Sequence, residues 1–277
     1  MTSLRPARRF DWKNLGLRAA SATALIPAVL AAIWFGGWAF MAMVAAAVLL
    51  LSYEWGRMSA PRSPQRVAVA VAAVVLIAVF LIHFHHFILA WSVAFGGAVA
   101  AAAYVRTLGE RPSDAAFGVL YIAGPCLALT WLRTRPNPMS WTILLFAVTW
   151  SADIAAFLIG NALKGPKLSP SLSPNKTWAG FVGGLVGAIL AAAGIAAAPG
   201  STVKLGLTAA AVIGLVGGLA TMGGDLWESM LKRRFGVKDS GDIIPGHGGL
   251  LDRVDGLMFA VLAVAGARLI YQTGWSH

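Results

Sequence analysis

Charge is what this sequence has least of. Asp, Glu, Lys and Arg make up 12% of its 277 residues, and 58% are hydrophobic. A soluble domain carries about 25% charged and about 45–50% apolar residues. So little charge excludes an ordinary water-soluble fold, because the apolar surplus has nowhere to go except into lipid. Cysteine is nearly missing as well. The single Cys126 excludes an intrachain disulfide and reads as a small core residue of an apolar segment. Acids number 11 against 22 Lys and Arg, a net charge of +11. Such a surplus can signal nucleic acid, but these cations punctuate apolar runs and do not gather on a soluble module. The chain also lacks a low-complexity linker, a soluble accessory domain and a convincing internal duplication.

Long uncharged runs are present at 19–53, 67–105, 177–203 and 205–224. A helix needs about 20 apolar residues to cross the hydrocarbon core, so each of the first two runs is a helical hairpin. Gly36-Gly37 divides the first, and His83, His85 and His86 divide the second. Nine spans are predicted, near 18–35, 38–55, 66–83, 87–105, 115–132, 140–160, 177–198, 204–224 and 254–272, the eighth continuing as helix beyond the membrane. The basic start (Arg5, Arg8, Arg9, Lys13, Arg18) leads into too long an apolar run for a cleaved signal, so the first helix is read as retained. With the N-terminus cytoplasmic, only Arg133, Arg135, Lys204 and Arg268 of the 22 Lys and Arg fall on the far side, leaving eighteen on the near side. That asymmetry is the positive-inside bias. The fold class is therefore all-α, a polytopic membrane protein, with N-terminal spans over 1–110 read as a packing region and C-terminal spans over 111–277 that carry the longer near-face loops. Small residues such as Gly183, Gly184, Gly187, Gly214, Gly217 and Gly218 are read as close helix–helix contacts.

Six of the 11 acids lie between Asp225 and Asp255, together with Lys232, Arg233, Arg234, Lys238, His247 and Arg253. This loop, 225–255, joins two spans on the near face. Its glycines would let backbone amides approach an anion closely. An ordinary solvated loop is the plainer alternative. Asp225, Glu228 or Ser229, and Lys232 share one face if the eighth helix continues. Asp252 and Asp255, three apart, either complement a helix N-terminus or serve as hard oxygen ligands for Mg²⁺. Asp225 ends an uncharged run and Asp153 lies inside the sixth span, where a carboxylate must face the bundle interior or a wet cavity. A second near-face loop, 161–177, holds Lys164, Lys167, Ser173, Asn175 and Lys176. Ser173 is predicted to cap the seventh helix with Pro174 at its first position, presenting free amides and Lys176 to a phosphate.

The stretch SMLKRRFGVKDSGDIIPGHGGLLDRVD (229–255) resembles the signature of the phosphatidate cytidylyltransferases, or CDP-diacylglycerol synthases. It carries Ser229, Lys232-Arg233, Lys238-Asp239, Pro245, His247-Gly248-Gly249 and Asp252-Arg253-x-Asp255 at that family's spacing. SPNKTWAG (173–180) and WSADIAAFLIG (150–160) resemble two further family segments. Asn175 and Ala179 stand where the family usually has Lys and Glu. The likeness is close over the C-terminal half, and the first 110 residues match only as generic spans. It implies a Mg²⁺-dependent, membrane-embedded, dimeric, all-helical enzyme of the bacterial inner membrane, with a polar cavity open to the cytoplasm. It also implies that Asp225 and Asp252 hold the metal.

The expected reaction joins CTP to phosphatidate and releases pyrophosphate. Asp225, Asp252 and Asp255 are the expected metal ligands, for one ion or two. Lys176, Lys232, Arg233 and Lys238 would offset phosphate charge, with Ser173, Asn175, Lys167, Asp239, His247, Gly248, Gly249, Arg253 and Asp153 around the substrates. Two rivals are a CTP-using polyprenol or phytol kinase, which would release CDP, and a transporter lined by Asp153 and Asp225.

Overall fold

The computed structural model describes residues 12–170, 172–246 and 248–272. Nine helices fill most of them: α1 (Trp12–Phe35), α2 (Gly37–Ser59), α3 (Pro64–His83), α4 (Phe87–Thr107), α5 (Pro112–Thr134), α6 (Pro138–Leu163), α7 (Trp178–Ala197), α8 (Leu207–Arg234) and α9 (Leu251–Gln272). Eight of these, α2 to α9, are long and apolar enough to cross a membrane. Ile88 is 86% exposed and Phe35 76%. Such outward aliphatic and aromatic surface is unfavourable in water and ordinary against lipid chains, so this is a multi-pass membrane protein.

Helix breaks fall where the backbone dictates them. Gly36 separates α1 from α2 at a positive φ of 61° that favours glycine. Proline opens α3, α5 and α6, where its missing N–H has no helical partner to lose.

Lipid removes the water-driven attraction between helices, so close packing has to hold them together. Small residues supply it. A Cβ on Gly187 would meet Ser151 O of α6 at 2.8 Å, and one on Gly214 would meet Ala188 O of α7 at 2.7 Å. The α6–α7–α8 contacts therefore rest on backbone approaching backbone. One core cluster lies among α2–α5 and reaches Leu231, Leu251 and Met258; another joins α6 to α9 with the end of α5.

The ends of the bundle are tied separately. At one end Glu110 accepts the amides of Arg62 and Ser63 at 2.7 and 2.8 Å, and Arg234 meets Asp114 at 2.5 Å. At the other, Arg133 donates to Ile33 O at 3.0 Å, Arg268 to Leu132 O at 2.9 Å, and Asn137 to Thr202 O at 3.3 Å.

One departure from the sequence reading concerns Ser173. It caps no helix. Residues Ser173–Thr177 form β2, paired antiparallel with β1 (Lys167–Ser169), and Trp178 donates to Pro166 O at 3.1 Å to close the hairpin. Helix α7 begins at Trp178 with Thr177 as its cap, whose hydroxyl accepts Gly180 N at 3.1 Å. Pairing with Lys167–Ser169 holds 173–177 extended, so the start of α7 shifts four residues along. A two-stranded ribbon has only edge strands, which tolerate Pro174.

Candidate active site

Helix α8 positions the first group. Its 28 residues extend about 42 Å at 1.5 Å per residue, more than the roughly 30 Å of hydrocarbon. Its last turns therefore stand clear of the lipid core, with Asp225, Glu228 and Lys232 on one face. The β1–β2 hairpin folds back beside it and brings Lys176 into an ion pair with Asp225. Asp153 of α6, Asn161, Asn175, Thr177 and Met222 line a cavity of about 420 Å³ around this pair. Asp153 and Asp255 both lie within electrostatic reach of Asp225 and Lys176.

The second group is centred on Lys232. Its ammonium lies 2.7 Å from Glu228 and 2.5 Å from Asp252 Oδ1. The other oxygen of Asp252 accepts Ser240 N at 2.9 Å, Ser240 Oγ at 2.8 Å and Gly249 N at 3.3 Å. Asp255, one helical turn beyond Asp252, lies between the groups in the sense that both Asp225 and Glu228 are within electrostatic reach of it. All of this lies at the Glu110–Asp114 end of the bundle.

Among the described residues, no three His, Cys, Asp or Glu side chains are grouped as a metal cage. Asp225 and Asp252 are each held by a different lysine. The donor chemistry nevertheless suits a hard cation. Asp225 contacts Lys176, with Asp153 and Asp255 within electrostatic reach, and carboxylates are the hard oxygen donors that Mg²⁺ selects.

Other predicted residues are placed less centrally. Arg233, Lys238, Asp239 and Arg253 are exposed, as is Lys167 on β1, and Ser173 is half-buried. Gly248 exchanges two backbone hydrogen bonds with Ile244, of 2.9 and 3.1 Å, so its amide is engaged within the loop. His247 lies outside the described residues.

Over residues 16–270 the sequence matches the model of the cytidylyltransferase family. The chain belongs to that family. It is similar to the phosphatidate cytidylyltransferase of Brucella suis biovar 1, 38% identical over 265 residues, which cover 94% of this chain and 93% of that one. It is also similar to the phosphatidate cytidylyltransferase of Pseudomonas aeruginosa, 32% identical over 273 residues, covering 93% and 97%. A Staphylococcus saprophyticus protein of the same name is 39% identical over 149 residues, 53% of this chain and 56% of that one.

Two acids of this cytidylyltransferase escaped the sequence reading. Glu54, at the end of α2, is fully buried and accepts Leu250 N at 2.6 Å and Leu251 N at 2.8 Å. Asp114, in the first turn of α5, is buried against Arg234. A signal for Glu54 existed, because it ends the uncharged run 19–53 as Asp225 ends the run 205–224.

Proposed function

We propose that this chain joins CTP to phosphatidate, forming CDP-diacylglycerol and pyrophosphate, at the cytoplasmic face of a bacterial inner membrane. The observation that carries the reading is the gathering of four carboxylates, Asp225, Asp255, Glu228 and Asp252, with two ammonium groups, Lys176 paired to Asp225 and Lys232 paired to Glu228 and Asp252, at one end of the bundle. It is supported by similarity to proteins named phosphatidate cytidylyltransferase over more than nine-tenths of the chain.

Phosphatidate carries a phosphate monoester whose second pKa is about 6, so the nucleophile arrives largely dianionic and needs no general base. A phosphate oxygen attacks the α-phosphorus of CTP, and the bond from that phosphorus to the bridging oxygen breaks as pyrophosphate leaves. The obstacle is bringing a dianion to a triphosphate, a matter of positioning and charge neutralisation. Lys176, paired with Asp225, and Lys232, paired with Glu228 and Asp252, supply fixed positive charge, and Arg233, Lys238 and Arg253 add exposed cations on the same loop. Asp225, Asp252 and Asp255 are the residues that would hold magnesium, one ion or two, with Asp153 and Asn175 beside the substrates. The chemistry such a cation supplies is neutralisation of phosphate charge. The cytoplasmic orientation rests on the cation asymmetry, and a homodimer rests on the resemblance alone.

The test uses purified protein in phosphatidate vesicles with Mg²⁺ and CTP labelled at the α or the γ phosphate. The α label should enter the lipid and the γ label should leave as pyrophosphate. Lipid labelled from the γ position, with CDP released, would replace this reading with a kinase.

A further inference from the structure

Helix α2 belongs to the half of the chain that reads as generic spans, yet it sends one carboxylate into the loop that carries Asp252. Glu54 is fully buried. A carboxylate there is tolerable only if its oxygens are well supplied with donors. Two donors are the amides of Leu250 and Leu251, at the start of α9, which have no helical partner of their own. The third contact is Ser240 Oγ, 3.3 Å from Glu54 Oε2 and 2.8 Å from Asp252 Oδ2. One hydroxyl proton thus lies between two carboxylates from opposite halves of the chain.

The loop is shaped to allow this convergence. A Cβ on Gly249 would meet Ser240 Oγ at 1.9 Å, Glu54 Oε1 at 2.9 Å and Asp252 Oδ2 at 3.0 Å. Only a residue without a side chain lets both acids reach the turn. Glu54 and Asp252 repel each other across it, so the shared donors hold two groups that would otherwise separate.

We propose that Glu54 is a positioning residue for Asp252. It clamps Ser240 and the first turn of α9, which fixes Asp252 Oδ2 and leaves Oδ1 facing Lys232. A cap that served only the stability of α9 would need the Leu250 and Leu251 amides but not the shared serine. The proposal rests on the nucleotidyl-transfer reading for its kinetic consequence, and its structural consequence can be measured separately.

Three variants in phosphatidate vesicles test it: Glu54→Gln, Ser240→Ala and the pair together. Glu54→Gln should lower kcat roughly 10- to 100-fold, as expected for a slightly misplaced group, with KM for CTP within about twofold. Ser240→Ala keeps both amide contacts to Glu54, so it should lower kcat similarly while keeping the wild-type unfolding midpoint. The double variant should be no slower than the slower single one. Hydrogen exchange over 239–252 reads the clamp without turnover, and Glu54→Gln should speed it there. If the wild type fails to transfer the nucleotide, the reading of the reaction fails and exchange alone judges the clamp. Folded Glu54→Gln protein with wild-type exchange, or with kcat within about twofold of wild type in an active enzyme, overturns the proposal.

Discussion

Lys232 stands between two carboxylates that are themselves nearly enclosed, with side-chain exposures of 2% for Glu228 and 9% for Asp252. Removing one partner of a buried ion pair leaves uncompensated charge and costs about 3–5 kcal/mol. Lys232→Met should therefore lower stability by about that amount in a denaturant titration. Adding Glu228→Gln should recover part of the stability and none of the turnover. Asp252→Asn is the complementary change. Asparagine can still accept the Ser240 and Gly249 amides through its carbonyl oxygen, so the protein should insert and remain folded. Nucleotide transfer should fall by about a hundredfold or more, because one of the two charges that face Lys232 is gone; wild-type turnover with Mg²⁺ would remove Asp252 from the site. The spacing of Asp225, Glu228 and Lys232 was readable because a helix fixes which side chains share a face. The pairing of Lys176 with Asp225 was not, since the residues are 49 apart and meet only through the hairpin. Glu54 was harder still, its partner lying 196 residues away.

At the scale of elements, hydropathy located the helices because in lipid a span must be long, apolar and internally hydrogen-bonded. Helix α8 runs on to Arg234, as its charged face suggested. The β1–β2 hairpin was missed for a physical reason. Ser-Pro followed by an apolar run has the local chemistry of a helix start, and only the partner strand Lys167–Ser169 overrules it. The close contact of α6 with α7 offers a sharp test. Gly187→Leu drives a side chain against Ser151 O, where a Cβ would already stand at 2.8 Å. Backbone cannot yield as a side-chain tip can, so the loss should reach or exceed the roughly 1–3 kcal/mol typical of overpacking. Gly194, on the same helix, has nothing within 4 Å of a built Cβ. Gly194→Ala should leave the unfolding midpoint within about 1 kcal/mol of wild type, and a midpoint equally low in both variants would refute the packing argument.

For the whole molecule, the two ends of the bundle differ in charge. Among the described residues the far end holds Arg133, Arg135, Lys204 and Arg268 and no carboxylate, while every described acid lies toward the end that carries Asp225 and Asp252. The far-end arginines lie over aromatic rings: Arg133 over Phe40, Arg135 over Phe87 and Trp131, Arg268 over Trp131 and Trp141. Those contacts hold cations on a face that the positive-inside bias would otherwise keep nearly free of them. The proposed orientation rests on the larger near-face surplus and is open to direct measurement. Cys126 is buried and gives little background to a thiol reagent. Ala198→Cys, exposed at the far end between α7 and α8, should react with a membrane-impermeant maleimide on intact cells. Thr107→Cys, exposed at the near end of α4, should react only after the cells are opened. The reverse pattern would place the carboxylate and ammonium groups outside the cell, away from any supply of CTP, and nucleotidyl transfer at this site would then be untenable.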